Sequence, residues 1–341
     1  MNAFLVDIGG TWTRFRYGGQ VERISTPSRL HHPLKSSDAL IQELVYLVAE
    51  RAPACVDAYI SLGAAYDPEV DIAYGSGPLW GAGRYEVPFR RLLEKRRPDV
   101  HWSVSNDITA GLAHFAKQYA RSEDRYVMYI TISSGIALRT AHLPTGQIDV
   151  DSEGLQGEVG HLPATSSAAD AVRGLACECG GVGHIASISA GPAIPYVAER
   201  LGITRNSQEI YLDDGSLFIG WLINSKTPCQ GRLTAAVNKP HGSPSRTCES
   251  LLRVIIEPIA NLIRTVRVLQ PHVDLIGIGG GVPSGIGTPY KRELNRQLSA
   301  VQSYSDGHFK EHPRLHVVSF DQVCPEIGAE LMAQGYLRNI R

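Results

Sequence analysis

The chain has no block of lysine and arginine. Its 33 basic and 34 acidic residues leave a formal net charge of −1. That removes the electrostatic support on which binding to nucleic acid or to an anionic membrane rests. Long hydrophobic runs are also missing. The longest apolar stretches are of strand length, and Met1-Asn2-Ala3-Phe4 opens without the pattern of a signal peptide. Neither a membrane span nor a secretory leader is expected. Cysteine is scarce: six in 341 residues make no disulfide framework. Cys55, Cys229, Cys248 and Cys324 are scattered, and Cys177 and Cys179 lie too close for an easy mutual bridge. A reduced, cytoplasmic setting is expected. The length leaves room for a large core and favours two domains over one.

What the chain does contain is a dense set of metal-ligand types. Gly157-Glu158-Val159-Gly160-His161 is followed by Cys177-Glu178-Cys179-Gly180-Gly181-Val182-Gly183-His184. His161, Cys177, Cys179 and His184 make a closed tetrahedral zinc set of two nitrogens and two sulfurs. The glycines after Cys179 let a short loop fold back around a metal. Free thiols are the alternative reading of the two cysteines. No ligand position stays open, so the expected zinc is structural. One ring nitrogen of His161 can hold the metal while the other faces a bound molecule. Glu158 lies three residues before His161.

Strand-sized apolar runs elsewhere end in small or acidic residues. Phe4-Leu5-Val6 runs into Asp7-Ile8-Gly9-Gly10-Thr11, and a second strand from Thr13 to Tyr17 makes a hairpin. At such a turn, backbone N–H groups can approach phosphate, Thr11 can donate to it, and Asp7 can hold water on a magnesium ion. An ordinary hairpin turn explains the same residues. Tyr126–Ile132 ends in Ser133-Ser134-Gly135, repeating the strand–turn pattern about 120 residues later and suggesting two related α/β halves. Gly279-Gly280-Gly281 follows Leu275–Ile278 and permits close approach of a flat ligand; a flexible loop is the alternative. His101–Val104 ends at Ser105-Asn106-Asp107, where Asn and Asp either cap a helix or place a general base. Helices are expected over 38–51, 87–95, 108–121, 248–269 and 326–338. Residues 63–88 and 163–172 read as loop, and 204–247 carry no readable motif.

Taken together these residues resemble the ROK family (repressors, open reading frames, kinases) of the actin/hexokinase/Hsp70 superfamily. The resemblance runs nearly end to end, and includes Ile327-Gly328-Ala329-Glu330-Leu331 in the last helix. It implies a two-domain, actin-like ATPase (ribonuclease H-like) α/β fold with a cleft between domains. Residues 1–119 would form the smaller domain, with the terminal helix 326–341 returning to it, and 120–325 the larger one. By that pattern Asp107 is the catalytic base. Asn106, Glu158 and His161 would bind sugar hydroxyls. Asp7, Gly9, Gly10, Thr11, Ser134 and Gly135 would border the phosphates, and Gly279, Gly280 and Gly281 the adenosine. ATP, Mg2+ and structural zinc are the implied cofactors, a small sugar or polyol the substrate, and a homodimer the implied assembly.

Two departures stand out. The family's zinc loop usually ends Gly-Cys-Leu-Glu, where this chain has Gly183-His184-Ile185-Ala186. His184 is a substitute that zinc tolerates. Ala186 removes a glutamate that meets hydroxyls near the anomeric carbon in sugar kinases of this kind. That absence points toward a cyclitol or carbasugar of the valiolone type beside the ordinary hexose or amino sugar. The second departure is Ser133–Arg139, where the family has more glycine and where Leu138 and Arg139 add bulk. Two further readings compete with a kinase. Repressors of the family carry a helix-turn-helix ahead of the phosphate motif, which here begins at Asp7. A sugar-binding scaffold without catalysis is the other; the presence of Asp7 and Asp107 counts against it.

Overall fold

The computed structural model describes residues 3–202, 246–300 and 313–340. The stretch 204–247, unread in the sequence, lies almost wholly outside them. Contacts divide the chain into two compact units. The first comprises residues 1–158 and 321–341, the second 159–320.

The first unit begins with β1 (Phe4–Ile8), β2 (Trp12–Tyr17), β3 (Gln20–Ser25), α1 (Ser37–Arg51) and β4 (Asp57–Leu62). It continues through β5 (Ala65–Asp67), β6 (Ile72–Gly75), α2 (Gly77–Trp80), α3 (Phe89–Arg96) and β7 (His101–Asn106). Then come α4 (Asp107–Tyr119), β8 (Tyr126–Ile132), β9 (Ile136–His142) and β10 (Gln147–Asp149). One sheet has the order β3-β2-β1-β4-β7. Its centre is parallel, and the register sets Ile8 beside Leu62 and Leu62 beside Asn106. The carboxyl ends of β1, β4 and β7 therefore finish in line. In open α/β sheets that edge is where ligands bind.

Hydrophobic burial fixes this register. Phe4, Val6, Ile8, Ala58, Ile60 and Leu62 share one core with Leu40, Leu44 and Val48 of α1. Burying each large aliphatic side chain is worth about 1.5–3 kcal/mol, and a one-residue slip would turn a strand's apolar set to the wrong face. α1 starts where Ser36 accepts from the Ala39 N–H, one residue before the expected cap. The expected loop over 63–88 is more ordered than its glycines and prolines suggest. β5 and β6 pair antiparallel, and α2 carries Pro78 in its first turn behind a Ser76 cap.

In the second unit lie α5 (Ala169–Val172), within the expected 163–172 loop, α6 (Ala186–Ser189) and α7 (Ile194–Arg200). They are followed by α8 (Arg246–Leu269), β11 (Leu275–Gly279), α9 (Gly281–Ile286), α10 (Thr288–Ala300) and β12 (Arg314–Val317). α8 buries Leu251, Leu252, Ile255, Ile256, Ile259, Leu262 and Ile263, the stripe that its 3.6-residue spacing predicts. β11 and β12 pair in parallel. Among the described residues no helix is long and apolar enough to cross a membrane.

The chain ends in the first unit with α11 (Pro325–Ala333) and β13 (Arg338–Ile340), which pairs with β10. The expected last helix is thus cut at Ala333, and the chain turns to add a strand. By contacts the first unit runs past residue 120, as far as residue 158. β8 and β9 pack on α4, and β10 joins β9, so residues 120–158 stay with the first unit. α11 lies against α4 and β4. Buried Glu326 in its first turn meets Arg16 at 3.1 Å and Arg14 at 3.7 Å, and the Cys324 N–H donates to His114 Nδ1 at 2.8 Å.

α4 and α11 approach so closely that a Cβ on Gly328 would sit 1.8 Å from the Ala110 carbonyl oxygen. Gly328→Ala is therefore expected to lower stability by about 1–3 kcal/mol, read as a lower urea midpoint. An unchanged midpoint would show that the helices can part without cost.

Candidate active site

The aligned ends of β1, β4 and β7 gather the acidic residues. Asp7 lies opposite Arg14 on β2 and Ser61 on β4. Ser61 Oγ donates to Asp7 Oδ1 at 2.9 Å. Burial pushes the Asp7 carboxyl up to about 6; Arg14 opposes this, Glu326 adds to it, and the Ser61 bond opposes it.

The Gly9–Thr11 turn is closed by Gly9 N–H to the Trp12 carbonyl and by Thr26 Oγ1 to the Gly9 carbonyl. Gly10 is needed here for packing, because a Cβ would come 2.4 Å from that of Pro78. The second strand–turn–strand, β8 to β9, brings Ser134 Oγ to 3.1 Å from Thr11 Oγ1. The two turns separated so far in sequence thus put their hydroxyls in contact, and Gly135 beside them faces open space.

Asn106 and Asp107 join β7 to α4. Asn106 is buried, and its amide is satisfied within the protein. Oδ1 accepts from the Thr109 N–H and Oγ1, while Nδ2 donates to the Ala64 carbonyl at 2.8 Å and to Asp107 Oδ1 at 3.3 Å. The side chain caps α4 and holds its neighbour. Asp107 Oδ1 also accepts from the Ile108 N–H at 2.8 Å. Its Oδ2 accepts no hydrogen bond that the described residues display, so one carboxylate oxygen is fixed and the other is open. Burial raises the Asp107 carboxyl to about 7, with Asp7 and Glu158 adding to the rise and the Ile108 N–H and Arg139 opposing it.

Glu158 ends the first unit. Burial raises it to about 7 as well, against Arg139, with Asp151 adding to the rise. Arg139 has no assigned role in the sequence reading beyond its bulk. It is 2% exposed, at an inward position of β9 shared with Ala137 and Ala141. A charged residue in phase with inward small ones was the signal that could have found it.

The second unit carries the four expected metal ligands together. One ligand atom from each of His161, Cys177, Cys179 and His184 lies within 4.8 Å of all the others. Cys177 Sγ is 3.5 Å from His161 Nδ1, and Cys179 Sγ is 3.3 Å from His184 Nδ1. The turn is tied by the Cys177 N–H to the Gly181 carbonyl and by bridges between Ala176 and Val182 and between Pro163 and His184. The donor chemistry and spacing suit a tetrahedral metal such as zinc after a small contraction. Ala186 opens α6 two residues after His184. Gly279, Gly280 and Gly281 end β11 and begin α9, with Gly280 at φ 100.

A family model described as the ROK family matches residues 4–335. The chain belongs to the ROK family. Its fold is the actin-like ATPase fold of the ROK glucokinases. A ROK family glucokinase from Streptomyces griseus, in complex with glucose and AMPPNP, matches with a TM-score of 0.71 at 17% identity, over 98% of this chain and 100% of that one. In sequence the chain is 36% identical over 340 residues to a 2-epi-5-epi-valiolone 7-kinase from Actinoplanes sp., covering 96% of this chain and 92% of that protein. A C(7)-cyclitol 7-kinase from Streptomyces hygroscopicus subsp. jinggangensis is 36% identical over 119 residues, 34% of this chain and 30% of that one.

For this ROK protein the Asn106 geometry yields a direct test. Asn106→Ala is expected to cost about 1–3 kcal/mol, from the lost cap and the lost buried bond. Asn106→Asp, which keeps the cap oxygen, should lose less. Urea unfolding measures both, and full stability in the alanine variant would reassign Asn106 to ligand binding alone.

Proposed function

We propose that this ROK kinase transfers the γ-phosphoryl group of ATP to the primary hydroxyl of a C7 cyclitol of the valiolone type, with Asp107 as general base. The observation that carries the chemistry is the Asp107 carboxylate, held at one oxygen and open at the other. A group near pH 7 in its ionisation is suited to accept a proton at neutral pH. The ionised Oδ2 takes the proton of the substrate hydroxyl as that oxygen bonds to the γ-phosphorus and the bond to ADP breaks. Glu158 and His161 are assigned to the ring hydroxyls, and Asn106 to holding the base. Thr11, Ser134 and the backbone of Gly9, Gly10 and Gly135 border the phosphates. Gly279, Gly280 and Gly281 are assigned to the adenosine.

The cyclitol is favoured over a hexose for two reasons. The identity to the valiolone kinase extends over most of both chains. Ala186 also leaves no acceptor where sugar kinases meet the anomeric region, and a ring without an ordinary anomeric centre needs none. Asp7, with one oxygen taken by Ser61, would hold the water shell of the magnesium that accompanies ATP. Bound there, magnesium would supply neutralisation of the charge on the transferring phosphates. His161, Cys177, Cys179 and His184 would hold zinc as a structural brace for the loop that presents His161.

ADP release measured against hexoses, amino sugars and 2-epi-5-epi-valiolone tests the substrate; turnover of glucose alone would remove the cyclitol. Asp107→Asn is expected to lower kcat by about 100-fold or more while folding is retained, and wild-type turnover would remove the base. The wild-type kcat/KM should fall on the acid side of about pH 7 as Asp107 protonates. The stability effect runs the other way. Asp107 is raised from 3.8 to about 7, so the folded state binds the proton more tightly than the unfolded one. Its contribution is complete below the unfolded value and lost as pH rises through the folded one. Asp107→Asn should therefore gain thermal stability over wild type at about pH 8 and not at about pH 4.

The zinc assignment has its own measurement. Elemental analysis is expected to find one zinc per chain, and Cys177→Ser to lose it together with several degrees of thermal stability. Metal-free protein with an unchanged melting temperature would overturn that assignment.

A further inference from the structure

Arg139 is the buried charge that the proposed chemistry does not use. Its Nη1 donates to the Leu138 carbonyl at 3.2 Å and its Nη2 to the Gly154 carbonyl at 2.7 Å, while Nε is buried without a partner. Burying a guanidinium is costly unless something nearby needs the charge. The neighbouring inward positions on β9 are alanines, so packing alone does not call for an arginine.

The loop that carries Glu158 is built around this side chain. Asp151 accepts from the Glu153 and Gln156 N–H groups, and the Gly154 N–H returns to the Asp151 carbonyl. The Glu158 N–H donates to the Leu155 carbonyl, and the Leu138 N–H ties the Gly157 carbonyl to β9. Gly157 has φ +85, and a Cβ there would lie 2.1 Å from the Leu138 oxygen and 2.6 Å from Arg139 Nη1. Only glycine lets the loop close onto the arginine. The acidic groups acting on Arg139 are Glu158, Asp107 and Asp151. Those facing Asp107 are Asp7 from β1 and Glu158 from the loop, with Arg139 from β9 opposing them; Asp107 and Asp7 in turn act on Tyr129 of β8. Arg14 and Glu326 act on Asp7.

The geometry points to Arg139 as a positioning residue: its guanidinium clamps the 151–158 loop through Gly154 and supplies the positive charge against which Asp107 and Glu158 are held. The inference rests on the roles proposed for those two carboxylates. In the neighbourhood of two acids that repel each other's ionised forms, the cation keeps the base available near neutral pH. Through the loop it sets where Glu158 meets the acceptor.

The test compares Arg139→Met, close in length and uncharged, with Arg139→Lys, charged but without the fork. The first readout needs no activity: carboxyl 13C shifts of the substrate-free full chain across pH, with the Asp107 signal assigned through Asp107→Asn. The second is steady-state kinetics with ATP and 2-epi-5-epi-valiolone. Arg139→Met is expected to raise the Asp107 midpoint, to move the acid limb of kcat/KM with it, and to raise the acceptor KM about tenfold with little change for ATP. Arg139→Lys should keep the midpoint and still show the raised acceptor KM. An unchanged midpoint and acceptor KM in Arg139→Met overturn the inference. Should that variant fail to fold, Arg139→Lys decides: a raised acceptor KM with the midpoint kept supports the clamp, and wild-type behaviour in both overturns it. A wild-type protein that turns over no cyclitol refutes the proposed function, while the carboxyl titration still reads the charge on Arg139.

Discussion

The first unit is organised around the burial of negative charge. Asp7, Asp107 and Glu158 come from β1, from the start of α4 and from the loop before residue 159, and each is raised toward neutrality by its surroundings. Removing carboxylates from water is expensive, and like charges nearby make it more so. The fold offsets this with two arginines, each on the second strand of a hairpin: Arg14 on β2 opposes Asp7, and Arg139 on β9 opposes Asp107 and Glu158.

That arrangement depends on a joint with no slack. α4 is buried along most of its length, with Ile108 through Ala116 all inaccessible. It is gripped by α11 through Gly328 and by the Cys324–His114 bond. Glu326, at the start of α11, reaches across to Arg14 and Arg16. The last segment of the chain thus closes the back of the sheet whose front edge carries Asp7 and Asp107. A carboxylate in the first turn of a helix suits the partial positive charge there, which helps explain how Glu326 is accommodated without exposure.

Much of this was legible from residue types and spacing. The Asp7–Thr11 turn, Asp107 at a strand–helix junction, the Cys/His set and the long apolar stripe of α8 all stand in the places their local patterns indicate. What the spacing leaves open is what packs and bonds around each segment. Asn106 reads as a hydroxyl-binding residue, and the fold shows in addition that its amide bonds Thr109, Ala64 and Asp107. Sequence spacing cannot reveal how many of a side chain's hydrogen bonds are already taken. Residues 63–88 looked irregular because their glycines and prolines hide a short hairpin whose pairing partner is itself only a few residues long.

The amino-acid sequence by itself determined the chemistry on offer: two acidic strand ends, hydroxyl- and glycine-bearing turns, two cysteines and two histidines at metal-binding spacing, and an alanine where the family has a glutamate. Only the tertiary structure decided which of these groups lie near one another and in which direction burial and charge shift them. Residues 7, 107, 139 and 158 are far apart along the chain, and desolvation and Coulomb interaction depend on separation in space. The role of Arg139 lies wholly on that side, since its meaning comes from the loop that folds over it and the two carboxylates that loop and helix bring near.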